Sequence, residues 1–387
     1  MTAQPRQPEP AGLYCHIPFC ASKCRYCAFY SEPVSRHTTA ELVTAMIAHL
    51  RRCDPAQPIT TVYIGGGTPT CIPPADLLRL IDAIHNHFRI TPDSREFTVE
   101  ANPHHLTPSL LTGLRDHGVN RLSVGAQSFC DRELALLGRT HTADDITAAV
   151  RSARDAGYGN ISLDLIFALP GSTLADWQRS LDAVLALAPE HISAYSLAYE
   201  PRTPFHRALE AGELTATDEE TDRRMYELTI DTLTAAGYDH YEISNFARPH
   251  RRCRHNLTYW ANDPYIGIGP AAASYYKGIR STNTPDIPAY ISALQQNDLP
   301  PQTETHTPTD LETACETAVL NLRRTAGIDL AEYKSRTHHD LRDLFAKEID
   351  HNIRAGLLTL KNKSKNLALT PQALPIADKI LTDFATI

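Results

Sequence analysis

Three cysteines stand four and then three residues apart in His16-Ile17-Pro18-Phe19-Cys20-Ala21-Ser22-Lys23-Cys24-Arg25-Tyr26-Cys27. A single tight loop can turn three thiolates so spaced onto one iron–sulfur cubane. Three ligands are one too few for a four-iron cluster, so one iron keeps an open position, and open positions go with chemistry rather than with structural metal. Spacing alone admits two other readings. One is a zinc site completed by Cys15, Cys253 or a histidine; the other is a set of reduced core thiols.

A second motif follows the β-branched run Ile59-Thr60-Thr61-Val62-Tyr63-Ile64, which reads as a strand. It is Gly65-Gly66-Gly67-Thr68-Pro69-Thr70, where residues without side chains let backbone approach a ligand closely. Further polar groups fall at the ends of later strand-like runs: Glu100 in Thr98-Val99-Glu100, Gln127 after Val124-Gly125-Ala126, and Asp164 in Leu163-Asp164-Leu165. Arg139 follows in Leu137-Gly138-Arg139. Charges on the rim of an apolar sheet need partners, since an unpaired buried charge costs several kcal/mol. A zwitterionic ligand would supply them; helix caps or an Arg139–Asp164 salt bridge are the plain alternatives.

The elements that must position these groups alternate between short β-rich runs and helical stretches, the pattern of parallel βα units. Strands are expected near Leu13, Ile59, 96–100, 119–124, 160–165 and 191–197, with helices at 39–53, from Pro74, and at 108–115, 143–156 and 174–187. Six such units are too few to close an eight-stranded barrel, so an open partial barrel is predicted, with its chemistry where strands run into loops. Asp218 to Ala236 reads as a helix stopped by Gly237, and 238–247 as a strand dense in polar aromatics. Helices at 311–324 and 340–355, a hairpin around Lys361-Asn362-Lys363-Ser364-Lys365 and a last helix from Pro371 predict a winged-helix-like end. The expected organisation is a mobile arm over 1–11, a partial barrel over 12–237, a connecting segment over 238–305 and the winged-helix-like domain over 306–387.

Composition narrows the function. The 387 residues carry a formal net charge of -8, which disfavours nucleic acid as partner. No apolar run is long enough to span a bilayer, and the N-terminus lacks a signal-peptide pattern. Nine cysteines, an odd number without paired spacing, fit a reducing compartment, so a cytoplasmic protein is expected. Without a Cys-x-x-Cys-His signal, any heme would be held noncovalently.

Cys20, Cys24 and Cys27 followed by the Gly-Gly-Gly-Thr-Pro loop resemble the radical S-adenosylmethionine (SAM) superfamily. The His-Ile-Pro-Phe-Cys lead-in is similar to the branch holding oxygen-independent coproporphyrinogen III dehydrogenases and HemW-type heme chaperones. The resemblance implies a TIM-like (βα)6 partial barrel with an α+β extension, and a [4Fe-4S] cluster whose open iron chelates SAM. A reduced cluster of this family splits the sulfonium to a deoxyadenosyl radical. It further implies Tyr14 beside the cluster, Gly66, Gly67 and Thr68 near the methionyl group, and Glu100, Gln127, Arg139 and Asp164 around SAM.

Within the connecting segment, His255-Asn256-Leu257-Thr258-Tyr259-Trp260 looks like a motif of the HemW-type chaperones, which makes His255 and Tyr259 candidates for the heme iron and the preceding arginines candidates for its propionates. The usual reading of such a basic run is a solvated loop. Tyr265 to Tyr275 resembles the family's Gly-Pro-Gly-Ala-His-Ser-Tyr segment, but Ala271 replaces a glycine and Ala273 the histidine, so no role of that histidine carries over.

Phe29 stands where the dehydrogenases carry a fourth cysteine, and about a dozen residues precede the first strand in place of an Arg/Tyr-rich extension. With the His255–Trp260 motif, these features favour a heme chaperone that passes heme to an acceptor hemoprotein. The alternatives are coproporphyrinogen III dehydrogenation, which is not expected, and heme modification by a radical SAM enzyme. No catalytic side chain is assigned. A one-electron reductant is implied, while a membrane-associated acceptor, a homodimer and SAM cleavage stay open.

Overall fold

The computed structural model describes residues 9–34, 39–88, 90 and 96–386. Six parallel strands lie side by side in chain order: β1 (Ala11–Ile17), β2 (Ile59–Gly66), β3 (Glu96–Ala101), β4 (Arg121–Gln127), β5 (Ile161–Phe167) and β6 (His191–Ser196). The expected (βα)6 partial barrel is therefore present. The first strand starts at Ala11, which was expected to end a mobile arm; Ala11 is buried, pairs with Ile59 and donates its N–H to the Pro58 carbonyl at 2.9 Å. Arm residues 1–8 lie outside the described residues.

Alternate residues of these strands face opposite ways. One face carries Leu13, Cys15, Val62, Ile64, Phe97, Val99, Leu122, Val124, Leu163 and Leu165, all fully buried in one apolar core. Amphipathic helices such as Thr39–Leu50, Pro74–His87 and Leu174–Leu187 bury Leu42, Met46, Leu77, Leu80, Trp177 and Leu181 into the same core. Thr142 and Thr173 start two of the helices with capping boxes closed by Asp145 and Asp176. The other face carries Tyr14, Tyr63, Glu100, Ser123, Asp164 and Ser193 and lines a cavity. A closed barrel fills its interior with branched apolar side chains; this open one keeps a polar interior.

The connecting segment does not stand apart from this sheet, because it extends both edges. The expected strand over 238–247 is a hairpin, β7 (Asp239–Glu242) and β8 (Asn245–Ala247), with β8 antiparallel to β6. The chain then crosses to the opposite edge, where β9 (Tyr265–Ile268) pairs parallel with β1. β10 (Ala273–Tyr276), β11 (Ile279–Asn283) and β12 (Gln302–His306) follow as an antiparallel meander, which completes a twelve-stranded sheet. A short helix, Arg254–Trp260, makes the crossing.

The C-terminal part combines the helices Asp310–Leu322, Leu330–Thr337, Leu341–Leu344 and Ala346–Arg354 with a three-stranded sheet of Ile328–Asp329, Asn366–Leu369 and Leu358–Lys361. The second predicted helix is split at Phe345, and Leu330–Thr337 is an additional helix. Left-handed backbone at Asn362, Lys363 and Ser364 turns the hairpin.

Candidate functional site

The strand ends and the cysteine loop enclose a cavity of about 620 Å³ at the C-terminal mouth of the barrel. It is lined by Cys20, Cys24 and Cys27, by Tyr14, Gly66, Gly67 and Thr68, and by Glu100, Gln127, Arg139 and Asp164. The structure thus brings eleven of the thirteen expected site residues to one space; His255 and Tyr259 do not line it, although the neighbouring Asn256 does.

The three thiols are half-buried, and the loop that carries them is pinned at a few points. Gly67 donates its N–H to the Ile17 carbonyl at 2.9 Å and Thr68 to the Phe19 carbonyl at 2.6 Å, so the glycine loop clasps the lead-in to Cys20. A Cβ at Gly67 would sit 2.4 Å from the Phe19 oxygen, which is why that position is side-chain-free. On the far side Arg25 donates its N–H to the Leu137 carbonyl at 3.1 Å, and its own carbonyl accepts from Phe205 at 3.0 Å. The helix Asp131–Leu137, which sequence reading passed over, ends at a left-handed Gly138 and so aims Arg139 at the loop. Arg139 donates to the Cys24 sulfur at 3.3 Å and to the Gly125 carbonyl at 2.9 Å. These are its partners in place of Asp164, so the alternative of a salt bridge between the two is not what the fold uses. Burial raises the Cys27 thiol above its usual range, a cost that a bound cation would relieve.

Deeper in the barrel the two carboxylates are held by neighbouring hydroxyl and N–H groups. Glu100 accepts the Tyr63 hydroxyl at 2.8 Å and the Gly66 N–H at 3.2 Å. Burial pushes its carboxyl up to about 7, against those two hydrogen bonds. Asp164 accepts hydroxyls from Ser193 at 2.7 Å, Ser123 at 3.1 Å and Ser162 at 3.3 Å, and burial raises it as well. Gln127 sits at a β-bulge with left-handed backbone, φ 69°, a strained strand end of the kind found at ligand sites. Tyr14 bonds His16 Nδ1 at 2.9 Å.

His255 is fully buried, with Nδ1 2.8 Å from the Thr61 hydroxyl and Nε2 2.8 Å from the Tyr259 hydroxyl. Burial, with Arg121 nearby, holds its imidazole down to about 3, so it is neutral and has one lone pair, already taken. His255 and Tyr259, expected as candidates for a heme iron, are each other's hydrogen-bond partners at the base of the barrel. Two of the arginines expected to meet propionates are also engaged. Arg248 stacks 4.0 Å over Tyr238, and Arg252 pairs with Asp239. Ala273 is exposed and lines no part of the cavity, so the missing family histidine leaves no gap there.

Tyr63, Ser123, Ser162 and Ser193 are the site residues that sequence reading missed. Their signal was inward alternation. Ser123 pairs with Glu100 across the ladder, Ser193 pairs with Asp164, Ser162 stands two places before Asp164, and Tyr63 faces Thr98, two places before Glu100. The zinc alternative loses its cysteine candidates, since Cys15 points into the core and the Cys253 thiol meets Glu96 at 3.5 Å.

This scaffold, an open six-stranded parallel barrel with three thiols and a glycine loop at its mouth, is that of a radical SAM protein. Residues 14–184 match the radical SAM superfamily and residues 309–376 the HemN C-terminal domain. The chain is 37% identical to the heme chaperone HemW of Bacillus subtilis (strain 168), over 96% of this chain and 98% of that protein. It is 32% identical to HemW of Lactococcus lactis, over 97% of each. The fold is that of coproporphyrinogen III oxidase (HemN) from Escherichia coli, with a TM-score of 0.85 at 22% identity over 98% of this chain and 91% of that one. The chain belongs to the HemW family of the radical SAM superfamily.

Membership implies a [4Fe-4S] cluster and SAM, and the residues present fit both. Three half-exposed thiols share one loop, a cradle at Gly66 and Gly67 admits no side chain, and the buried Arg139 Nε has no partner among the described residues. No described helix is long and apolar enough to cross a membrane.

Proposed function

We propose that this protein is a radical SAM heme chaperone, which binds heme noncovalently and delivers it to acceptor hemoproteins in the cytoplasm. The observation that carries this reading is the 37% identity to the heme chaperone HemW of Bacillus subtilis along 96% of the chain. The likeness to HemN, at 22% identity, concerns the fold alone and gives no support to decarboxylation. Phe29, 73% exposed on the cavity rim, stands in place of the fourth cysteine of the dehydrogenases.

Cys20, Cys24 and Cys27 hold the cluster in this reading. Gly66, Gly67, Thr68, Glu100, Gln127, Arg139, Asp164 and Tyr14 enclose SAM. When bound, the cluster supplies one electron to a sulfonium, drawn from an external reductant. The protein's own residues orient the ligand. Asp164, held by three serines, and Glu100, held by Tyr63, present fixed acceptors to hydroxyl and ammonium groups, while Arg139 presents a donor. The nine free cysteines suit a reducing compartment.

The test is anaerobic. The cluster is reconstituted, reductant and SAM are added, and parallel samples receive coproporphyrinogen III or heme, with Cys20→Ala as control. No decarboxylation, together with stable heme binding and transfer to an apo-acceptor, is expected. Protoporphyrinogen formed above the control would overturn the reading, and chemically altered heme would make the protein a heme-modifying enzyme.

A further inference from the structure

The helix Arg254–Trp260 enters the barrel from the end opposite the cysteine loop and meets the strands at their beginnings. A Cβ at Gly12, near the start of β1, would lie 3.2 Å from the His255 ring, and His255 bonds Thr61 near the start of β2. Glu96, the first residue of β3, accepts the backbone N–H groups of Arg254 and His255 at 3.0 and 3.1 Å. The helix is therefore anchored to three adjacent strands by groups that face the barrel interior.

From this anchor, contacts lead upward to the cavity. The His255 ring stacks on Tyr63, centroids 5.1 Å apart and planes 24° apart. Tyr63 donates its hydroxyl to Glu100, and Glu100 in turn holds the Gly66 N–H. Independently, Asp164 accepts from Ser162; Ser162 meets His191 Nδ1 at 2.8 Å, His191 Nε2 meets the Tyr241 hydroxyl at 2.7 Å, and that hydroxyl accepts the Cys253 N–H at 3.2 Å. Glu100 and Asp164 are thus each connected by side-chain contacts to the start of one helix. Tyr63 gives Glu100 one of its two hydrogen bonds, the Gly66 N–H giving the other, and the His255 imidazole packs against the Tyr63 ring that carries this hydroxyl.

We propose that His255 is a positioning residue of the cofactor cavity, which holds Tyr63, and through it Glu100 and the glycine loop, in the geometry that receives SAM, and that it is not a heme ligand. The inference rests on the reading of this cavity as the SAM site. A neutral imidazole suits the task, because one ring nitrogen donates and the other accepts, so two hydroxyls fix its plane. Phenylalanine would keep the ring and lose both anchors. Glutamine would keep a donor and an acceptor on a side chain of similar reach.

The test uses the full-length reconstituted protein as wild type, His255→Phe, His255→Gln, Tyr63→Phe and the double variant His255→Phe/Tyr63→Phe. Three readouts are compared: SAM affinity by calorimetric titration, the change in the reduced cluster's electron paramagnetic resonance spectrum on adding SAM, and heme titration by absorbance. His255→Phe is expected to weaken SAM binding roughly tenfold, the equivalent of one buried hydrogen bond, and to blunt the spectral change while the heme titration stays put. Tyr63→Phe should do the same, the double variant should be no worse than either single one, and His255→Gln should recover most of the affinity. A loss of generic packing would instead add across the two sites and would not be rescued by glutamine. Unchanged SAM affinity in Tyr63→Phe and His255→Phe would overturn the inference, as would loss of heme binding with SAM affinity intact. If His255→Phe does not fold, Tyr63→Phe and His255→Gln decide alone. A wild-type protein that binds no SAM would strike down the cavity reading and this inference with it, and that result is distinct because it precedes any variant.

Discussion

The two ends of the barrel invite comparison, since both carry a motif that looks like a ligand set. At the mouth, Cys20, Cys24 and Cys27 are half-exposed, and the loop that holds them is tied down through backbone. At the base, His255 and Tyr259 belong to an equally recognisable motif, yet their polar atoms are consumed by each other and by Thr61. A ligand set must keep lone pairs in reserve; a scaffold spends them. On the proposed reading the mouth receives a ligand and the base holds the frame, with thiols and glycines at one end and an imidazole and a phenol at the other.

The sharpest way to break this contrast is at the mouth. Cys24→Ala should abolish cluster reconstitution, read as loss of the visible charge-transfer absorbance, while the circular dichroism of the apo-protein stays unchanged. A retained cluster would mean that the loop is no more a ligand set than the base is. Gly67→Ala should come next. Its methyl would meet the Phe19 carbonyl, so the apo-protein should lose about 2–3 kcal/mol in urea unfolding. Cluster yield should fall with it, because the same glycine clasps the cysteine loop.

Titration sharpens the contrast from the interior. Glu100 has a carboxyl raised from 4.5 to about 7, so the folded state holds its proton more tightly than the unfolded state does. Its protonated form is stabilising below the ordinary carboxylate value, and that advantage is lost as pH rises towards about 7. The span corresponds to about 3 kcal/mol. Glu100→Gln should flatten the decline in unfolding free energy across this window, with Asp164, raised in the same direction, leaving a residual slope. Parallel curves for wild type and variant would show that Glu100 is not strained by burial. The smallest effect is expected away from both ends: Ala271 adopts a left-handed φ of 59° where the family pattern has glycine. Ala271→Gly should raise stability by about 0.5 kcal/mol, the left-handed strain relieved less the entropy glycine adds, seen as a rise of about 1 °C in melting.

Much of this could be read in advance because it is local. The six parallel strands announce themselves as short β-rich runs between helical patterns, and the thiols and glycines of the mouth lie in two contiguous stretches. Long-range pairing left no such trace. Nothing in Tyr265-Ile266-Gly267-Ile268 says that it joins β1 at the other end of the chain, nor does the run of polar aromatics from Tyr238 to Tyr241 reveal a hairpin rather than one strand. Tyr63 and the three serines were missed for a different reason. Their inward alternation with Glu100 and Asp164 was visible, but a serine in a strand is common; Ser123 and Ser193 become informative only once a buried carboxylate stands across the ladder, and Ser162 once Asp164 is seen to share its face. For His255 the motif names the residue without telling that both ring nitrogens have hydroxyl partners within the fold.

The crossing from β8 to β9 has a mechanical side. An open sheet has no seam to fix its girth, but here one uninterrupted piece of chain is stitched to both edges, at Ala247 beside β6 and at Tyr265 beside β1. It acts as a drawstring: residues inserted between these stitches would let the barrel slacken, and residues removed would cinch it. Both stitches lie at the starts of β6 and β1, so the cord is drawn at the base of the barrel.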